Sequence, residues 1–212
     1  MESRKLLDIG LERINSMLID MAELSELTVS KSISAYTDEK DVLSDVFENS
    51  RKLRLLKDDI GDLCVELIAR FQPVASDLRQ IRSYLEISSG LDRFGRYAYD
   101  ISQVLDTVGD LSMCDKTVVK EAGTHAKKMI KLSIKSFTTR QLKFAEKVKE
   151  MDEVVDTLYR DYFKKSISSP GKNPICDFST TLVLRYLERI ADHATYISDS
   201  VIYVKTGKKS DQ

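Results

Sequence analysis

Residues 187–194 read LERIADHA, and residues 91–98 read LDRFGRYA. The two octapeptides lie 96 positions apart. Leu, Arg and Ala are identical, and an acid, a large apolar residue and a small residue recur in kind at three further positions. Self-similarity at one long period marks a duplicated structural unit. Around each copy the apolar residues step by three and four. Leu187, Ala191, Ala194, Ile197, Val201 and Val204 form one such series. Leu7, Leu11, Ile14, Leu18 and Met21 form another, as do Leu53, Leu56, Ile60, Leu63 and Leu67, and Val148, Met151, Val155, Leu158 and Tyr162. That spacing lays an apolar stripe along one face of a helix.

Composition agrees with long helices. The 212 residues include 8 Gly, 3 Pro and no Trp, and a large β-protein needs far more turn residues. Six helices are expected near 4–35, 40–69, 73–106, 111–137, 140–168 and 174–206. Thr37-Asp38 can cap the second helix. Pro73 and Pro174 sit where a third helix would begin, a position that tolerates a missing N–H. Asn173 is placed to cap the last helix. Ser168-Ser169-Pro170-Gly171 reads as a loop, and a short link near Thr107–Asp110 joins the halves. The expected fold is all-α, two copies of a three-helix unit. Residues 1–107 form the first unit, 110–207 the second, and 208–212 a tail.

The charge balance, 33 basic against 34 acidic residues, gives a net charge of −1 and no bulk attraction to nucleic acid. It hides a segregation. Residues 1–50 carry 11 acids and 5 bases, whereas residues 120–149 carry 9 bases and 2 acids. The basic stretch reads either as a solvated face or as a patch for an acidic partner or anionic membrane. No apolar run is long enough to span a bilayer, and no secretory signal is expected. The three cysteines, Cys64, Cys114 and Cys176, are odd in number, far apart and without a CxxC pair. They suggest a reducing compartment and argue against both a disulfide framework and a zinc-thiolate site.

Glu188 and Asp192 share a helix face, and Asp152 and Asp156 form a second pair at the same spacing on the preceding helix. Like charges at i,i+4 repel, so helix formation does not call for them. In an antiparallel hairpin, opposed residues share a midpoint. Asp152 with Asp192 and Asp156 with Glu188 both give 172, inside the expected loop. The arithmetic gathers four carboxylates. Such a cluster needs protons, Lys/Arg partners or a cation, unless the pairs are simply two solvated faces. All-oxygen ligands suit Mg²⁺, Mn²⁺, Ca²⁺ or iron rather than structural zinc.

The sequence here resembles the PhoU family of phosphate-transport regulators. Gln72-Pro73-Val74-Ala75-Ser76-Asp77-Leu78-Arg79 is similar to that family's QPxAxDLR segment. Arg185-Tyr186-Leu187-Glu188-Arg189-Ile190-Ala191-Asp192-His193-Ala194 is similar to its RxLERIxDxA segment. Val201-Ile202-Tyr203, followed by Thr206-Gly207, fits its usual ending. The resemblance spans nearly the whole chain. It implies an all-α fold of two pseudo-repeated antiparallel three-helix bundles, and multinuclear metal clusters held by E(D)xxxD pairs. Those positions fall on Asp152, Asp156, Glu188 and Asp192. The implied metal is most often iron, with Mg, Mn, Ca or Zn as alternatives. The implied role is cytoplasmic and non-enzymatic: restraint of phosphate uptake through a phosphate ABC transporter, with contact to a phosphate sensor kinase in many bacteria. Peripheral membrane association and a homodimer are expected, and nucleic acid is not.

The first half departs from that pattern. Its third-helix motif is Asp92 followed by Arg96, and a midpoint of 73 sets Arg96 opposite Ser50 and Asp92 opposite Arg54. A guanidinium offers no lone pair to a metal. The degenerate site Ser50, Arg54, Asp92 and Arg96 is therefore expected to be metal-poor, with Arg54 and Arg96 neutralising Asp92. Arg54, Arg93 and Arg96 could instead bind an anion. Asp58 and Asp62 lie too far toward the turn to substitute as ligands.

His193 has no Glu-x-x-His context and reads as a surface or packing residue, and His125 has no motif around it. Gly95 and Ala191 suggest close helix approach. Asp77 and Arg79 either brace the third helix or touch a partner. No nucleophile triad, GxxxxGK or GxGxxG is present. Two other classes remain open: a carboxylate-metal hydrolase or phosphatase, and a metal-free helical adaptor.

Overall fold

The computed structural model describes residues 2–38, 40–169, 171 and 173–208. Six helices run α1 Glu2–Asp38, α2 Leu43–Phe71, α3 Ser76–Val108, α4 Thr117–Thr139, α5 Leu142–Ser168 and α6 Pro174–Thr206. No strand occurs among the described residues. Pro170, Lys172 and the tail beyond residue 208 lie outside them.

Each apolar stripe faces inward. Leu7, Leu11, Ile14, Leu18 and Met21 are buried along α1, and Leu187, Ile190, Ala191, Ala194 and Ile197 along α6. Within each half the three helices pack on one another. The halves meet where α3 lies along α6 and α1 touches α4, so one apolar core runs through all six helices. Close approach depends on small residues. A Cβ on Gly90 would lie 2.9 Å from Ile197 Cγ1 of α6, and one on Gly95 would lie 3.3 Å from the Ser50 Cα of α2.

Several boundaries differ from expectation for local chemical reasons. Thr37 and Asp38 belong to the last turn of α1, where Thr37 Oγ1 donates to the Ser34 carbonyl. The start of α2 is served by Asp41, whose Oδ1 accepts from the Leu43 N–H. Pro73 lies outside α3. Gln72 and Ala75, at φ 46° and 49°, hold the turn, and the helix begins at Ser76. Pro174 opens α6 as expected, and the Asn173 side chain accepts from the Ile175 N–H at 3.0 Å. The link between halves extends to Lys116. Asp115 Oδ1 accepts from the Thr117 N–H at 2.9 Å, which starts α4 six residues later than the apolar pattern suggested.

The cysteine reading is corrected outright. Cys114 in that link and Cys176 in the first turn of α6 form a disulfide, with Cα atoms 5.4 Å apart, and Cys64 is a buried thiol. Sixty-two positions separate the pair in sequence, and only the fold brings them together. The argument for a reducing compartment rested on unpaired cysteines and loses that support.

Candidate metal centre

α5 and α6 run antiparallel from the turn that joins them. Val148 and Val155 of α5 are buried beside Leu187, Ala191 and Ala194 of α6. Asp156, Glu188 and Asp192 directly follow Val155, Leu187 and Ala191, and Asp152 follows Met151, which packs against the same core, so packing of the seams draws the acids together. One carboxylate oxygen from each of Asp152, Asp156 and Asp192 lies within 4.8 Å of the other two. All three residues are half-buried. Among the described residues this is the one cluster of three or more His, Cys, Asp or Glu side chains close enough to share an ion.

The electrostatics are those of a site short of positive charge. Burial, then the neighbouring carboxylates of Asp156 and Asp192, push the Asp152 carboxyl up to about 6. Burial and then Asp192 also raise the Asp156 carboxyl. Asp152 Oδ1 and Asp156 Oδ1 are buried with no hydrogen-bond partner. Buried polar atoms normally find a donor, and an orphaned carboxylate oxygen costs stability unless a proton or cation reaches it. This donor set fits a hard or intermediate cation.

Glu188 stands apart from the other three. Arg185 donates to its Oε1 at 2.6 Å, and Arg189 Nε is 3.9 Å from its Oε2. Its carboxyl is nonetheless raised, chiefly by burial and then by Asp192, and its Oε2 is buried without a hydrogen bond. Arg189 also donates to Asp192 Oδ2 at 3.1 Å. These arginines, three residues before their acids, were missed as functional. Their i,i+3 spacing was the available signal.

In the first half no Arg96–Asp92 ion pair forms among the described residues. Arg96 Nε reaches Asp100 Oδ1 at 3.4 Å rather than Asp92. Burial raises the Asp92 carboxyl, opposed by the charges of Lys57, Arg93 and Arg54 in that order. Ser50 sits where the α2 backbone presses on Gly95. Asp58 pairs with its neighbour Lys57 at 3.1 Å.

His193 packs. Its ring stacks on Tyr97 at 5.8 Å and meets Tyr196 edge-on at 5.4 Å. Burial, with the charges of Arg93 and Arg189, lowers its pKa to about 4. Asp77 braces the start of α3 by pairing with Arg4 of α1.

A family model for the PhoU domain matches residues 18–105 and 119–201. A phosphate-specific transport system accessory protein PhoU homolog of Clostridium acetobutylicum is 33% identical over 224 residues, covering 99% of this chain and 98% of that one. A protein of the same description from Archaeoglobus fulgidus is 29% identical over 192 residues, covering 91% of each chain. The crystal structure of PhoU from Pseudomonas aeruginosa superposes with a TM-score of 0.87 at 29% identity, covering 95% of this chain and 99% of that one. That of a phosphate transport system regulatory protein PhoU from Streptococcus pneumoniae has the same fold, with a TM-score of 0.88 at 21% identity, covering 97% of this chain and all of that one. The repeat, the two bundles and these matches along nearly the whole chain agree: the chain belongs to the PhoU family.

Proposed function

We propose that this protein restrains phosphate uptake as the accessory regulator of a phosphate-specific transport system, working from the cytoplasm without catalytic turnover. It does so by contact with a subunit of the phosphate ABC transporter, and a sensor kinase is a second candidate partner. Relatives matched over 98% and 91% of their own length carry the accessory-protein name, which supports this reading. No helix among the described residues is long and apolar enough to cross a membrane. Deleting the gene should raise phosphate uptake in the host, and cross-linking should recover the transporter's subunits with this protein. Unchanged uptake would remove the regulatory reading.

The second bundle holds a metal through Asp152, Asp156 and Asp192, with Glu188 Oε2 as the next available oxygen. The observation that carries this is the pair of buried, partnerless oxygens on Asp152 and Asp156. Bound there, the cation supplies charge neutralisation and ties α5 to α6. Metal analysis of the purified protein should find about one site per chain, lost in the Asp152→Asn/Asp192→Asn double variant. Absence of metal in the wild type would end the proposal. Twice that content would mean that the Arg54 and Arg96 half binds as well.

A further inference from the structure

At the end of the molecule where α4 and α6 terminate, the start of α3 and the last turns of α4 and α6 surround a cavity of about 360 Å³. Its volume lies within the range of small-molecule sites, which begins at about 300 Å³. Ile87, Phe137, Val201 and Val204 line it with carbon, and Ser76, Gln80, Ser83 and Tyr84 line it as well. Tyr84 and Phe137 meet edge to face at 6.2 Å, and Ile87 is 2% exposed. At the mouth stand two cations from different helices, Arg140 and Lys205, both exposed. No carboxylate lines the cavity among the described residues.

The cations have a structural use. They follow or close two helices whose C-terminal carbonyls carry partial negative charge. Lys205 Nζ also donates to the Arg140 carbonyl at 3.0 Å. Capping accounts for the charges, but it does not account for the hollow beneath them. Water holds poorly over Ile87, Phe137, Val201 and Val204, because an ordered water needs two to four polar partners, and Gln80 already donates to the Tyr84 hydroxyl and Ser83 to the Ser200 carbonyl. A hollow with an apolar wall and engaged polar groups under a cationic rim is matched by an anion with an apolar body. We infer that this cavity binds a single-chain anionic amphiphile, an alkyl chain of medium length with one anionic head. The chain lies over Ile87 and Phe137, and the head meets Arg140 and Lys205. The source is either a free alkyl carboxylate or the acyl chain of an anionic membrane lipid.

Decanoate is the first probe. The chain has no Trp, so Ser76→Trp at the exposed rim gives a single fluorescence reporter. Titration should saturate at one decanoate per chain. Lys205→Ala, and Arg140→Asn (chosen because Arg140 sits at φ 54°, which Asn tolerates), should each weaken binding about tenfold, the loss of one charge-assisted contact. Val204→Phe, which fills the hollow, should weaken it with both cations intact. Uncharged decanol should bind more weakly than decanoate. Circular dichroism confirms that each variant is folded. Phosphatidylglycerol vesicles that compete with decanoate identify the membrane as the source, whereas vesicles without effect identify the free acid. The inference is overturned by a non-saturating response, by equal binding of decanol, by decanoate affinity unchanged in the cation variants, or by vesicle binding without decanoate binding.

Discussion

Asp152 shows what a metal would change. Its carboxyl ordinarily titrates near 3.8, and the fold lifts it to about 6 through burial and the charges of Asp156 and Asp192. The folded chain therefore holds this proton more tightly than the unfolded chain does. In metal-free protein the resulting stability is fully present below pH ~4 and is lost as pH rises through about 6. A cation takes the place of the proton. In chelator, the melting temperature should fall between pH 4 and pH 7, and Asp152→Asn should flatten that fall. Restoring the metal should raise the melting point at pH 7 and change it little at pH 4. A chelated wild type with no pH slope beyond that of Asp152→Asn would mean that the three acids do not interact. The midpoint arithmetic foresaw that α5 and α6 would bring these acids together. It could not foresee that Arg185 holds Glu188 back, because a side chain's choice among partners depends on rotamers that spacing does not encode.

Helices were legible where apolar periodicity is strong, and their ends were not. The expected start of α4 lies near residue 111, close to the apolar Leu111 and Cys114. Both residues are indeed buried, but on an irregular link. Burial without regular backbone leaves the same apolar trace. The glycines in helix interiors separate two effects that sequence alone merges. A Cβ at Gly61 meets nothing within 4 Å, so Gly61→Ala should stabilise α2 by about 0.5–1 kcal/mol through helix propensity. A Cβ at Gly95 would lie 2.5 Å from Leu53 Cδ1 and 3.3 Å from the Ser50 Cα. Leu53 is fully buried and the Ser50 contact is backbone, so neither yields freely. Overpacking of about 1–3 kcal/mol outweighs the propensity gain, and Gly95→Ala should destabilise by about 1 kcal/mol. Denaturant unfolding of both variants reads the two signs, and a stabilised Gly95→Ala would show that α2 and α3 are not packed this closely.

At the scale of the whole molecule, the two bundles share a core along α3 and α6, and the Cys114–Cys176 bond fixes the connection between them. The link is also held by Leu111, fully buried, and by Asp115 on the Thr117 N–H. Near the same end, the Tyr36 hydroxyl of α1 donates to Ser179 Oγ of α6 at 3.2 Å. The disulfide closes a loop across 62 positions, and the chain-entropy relation assigns such a loop about 4 kcal/mol. For a chain of this size that corresponds to roughly 10 °C in melting temperature. Phosphine reductant, or Cys114→Ser/Cys176→Ser, should lower the melting point by that amount. Cys64 provides the control. Burial pushes its thiol up to about 12, so at neutral pH it stays protonated and unreactive in the folded chain. A chromogenic disulfide reagent should therefore count no thiols in the native protein, one after unfolding, and three after reduction and unfolding. Three thiols on unfolding without reductant would mean that the bond does not form in the purified protein. The link would then be held by Leu111 and Asp115 alone, and the argument from unpaired cysteines to a reducing compartment would regain its basis.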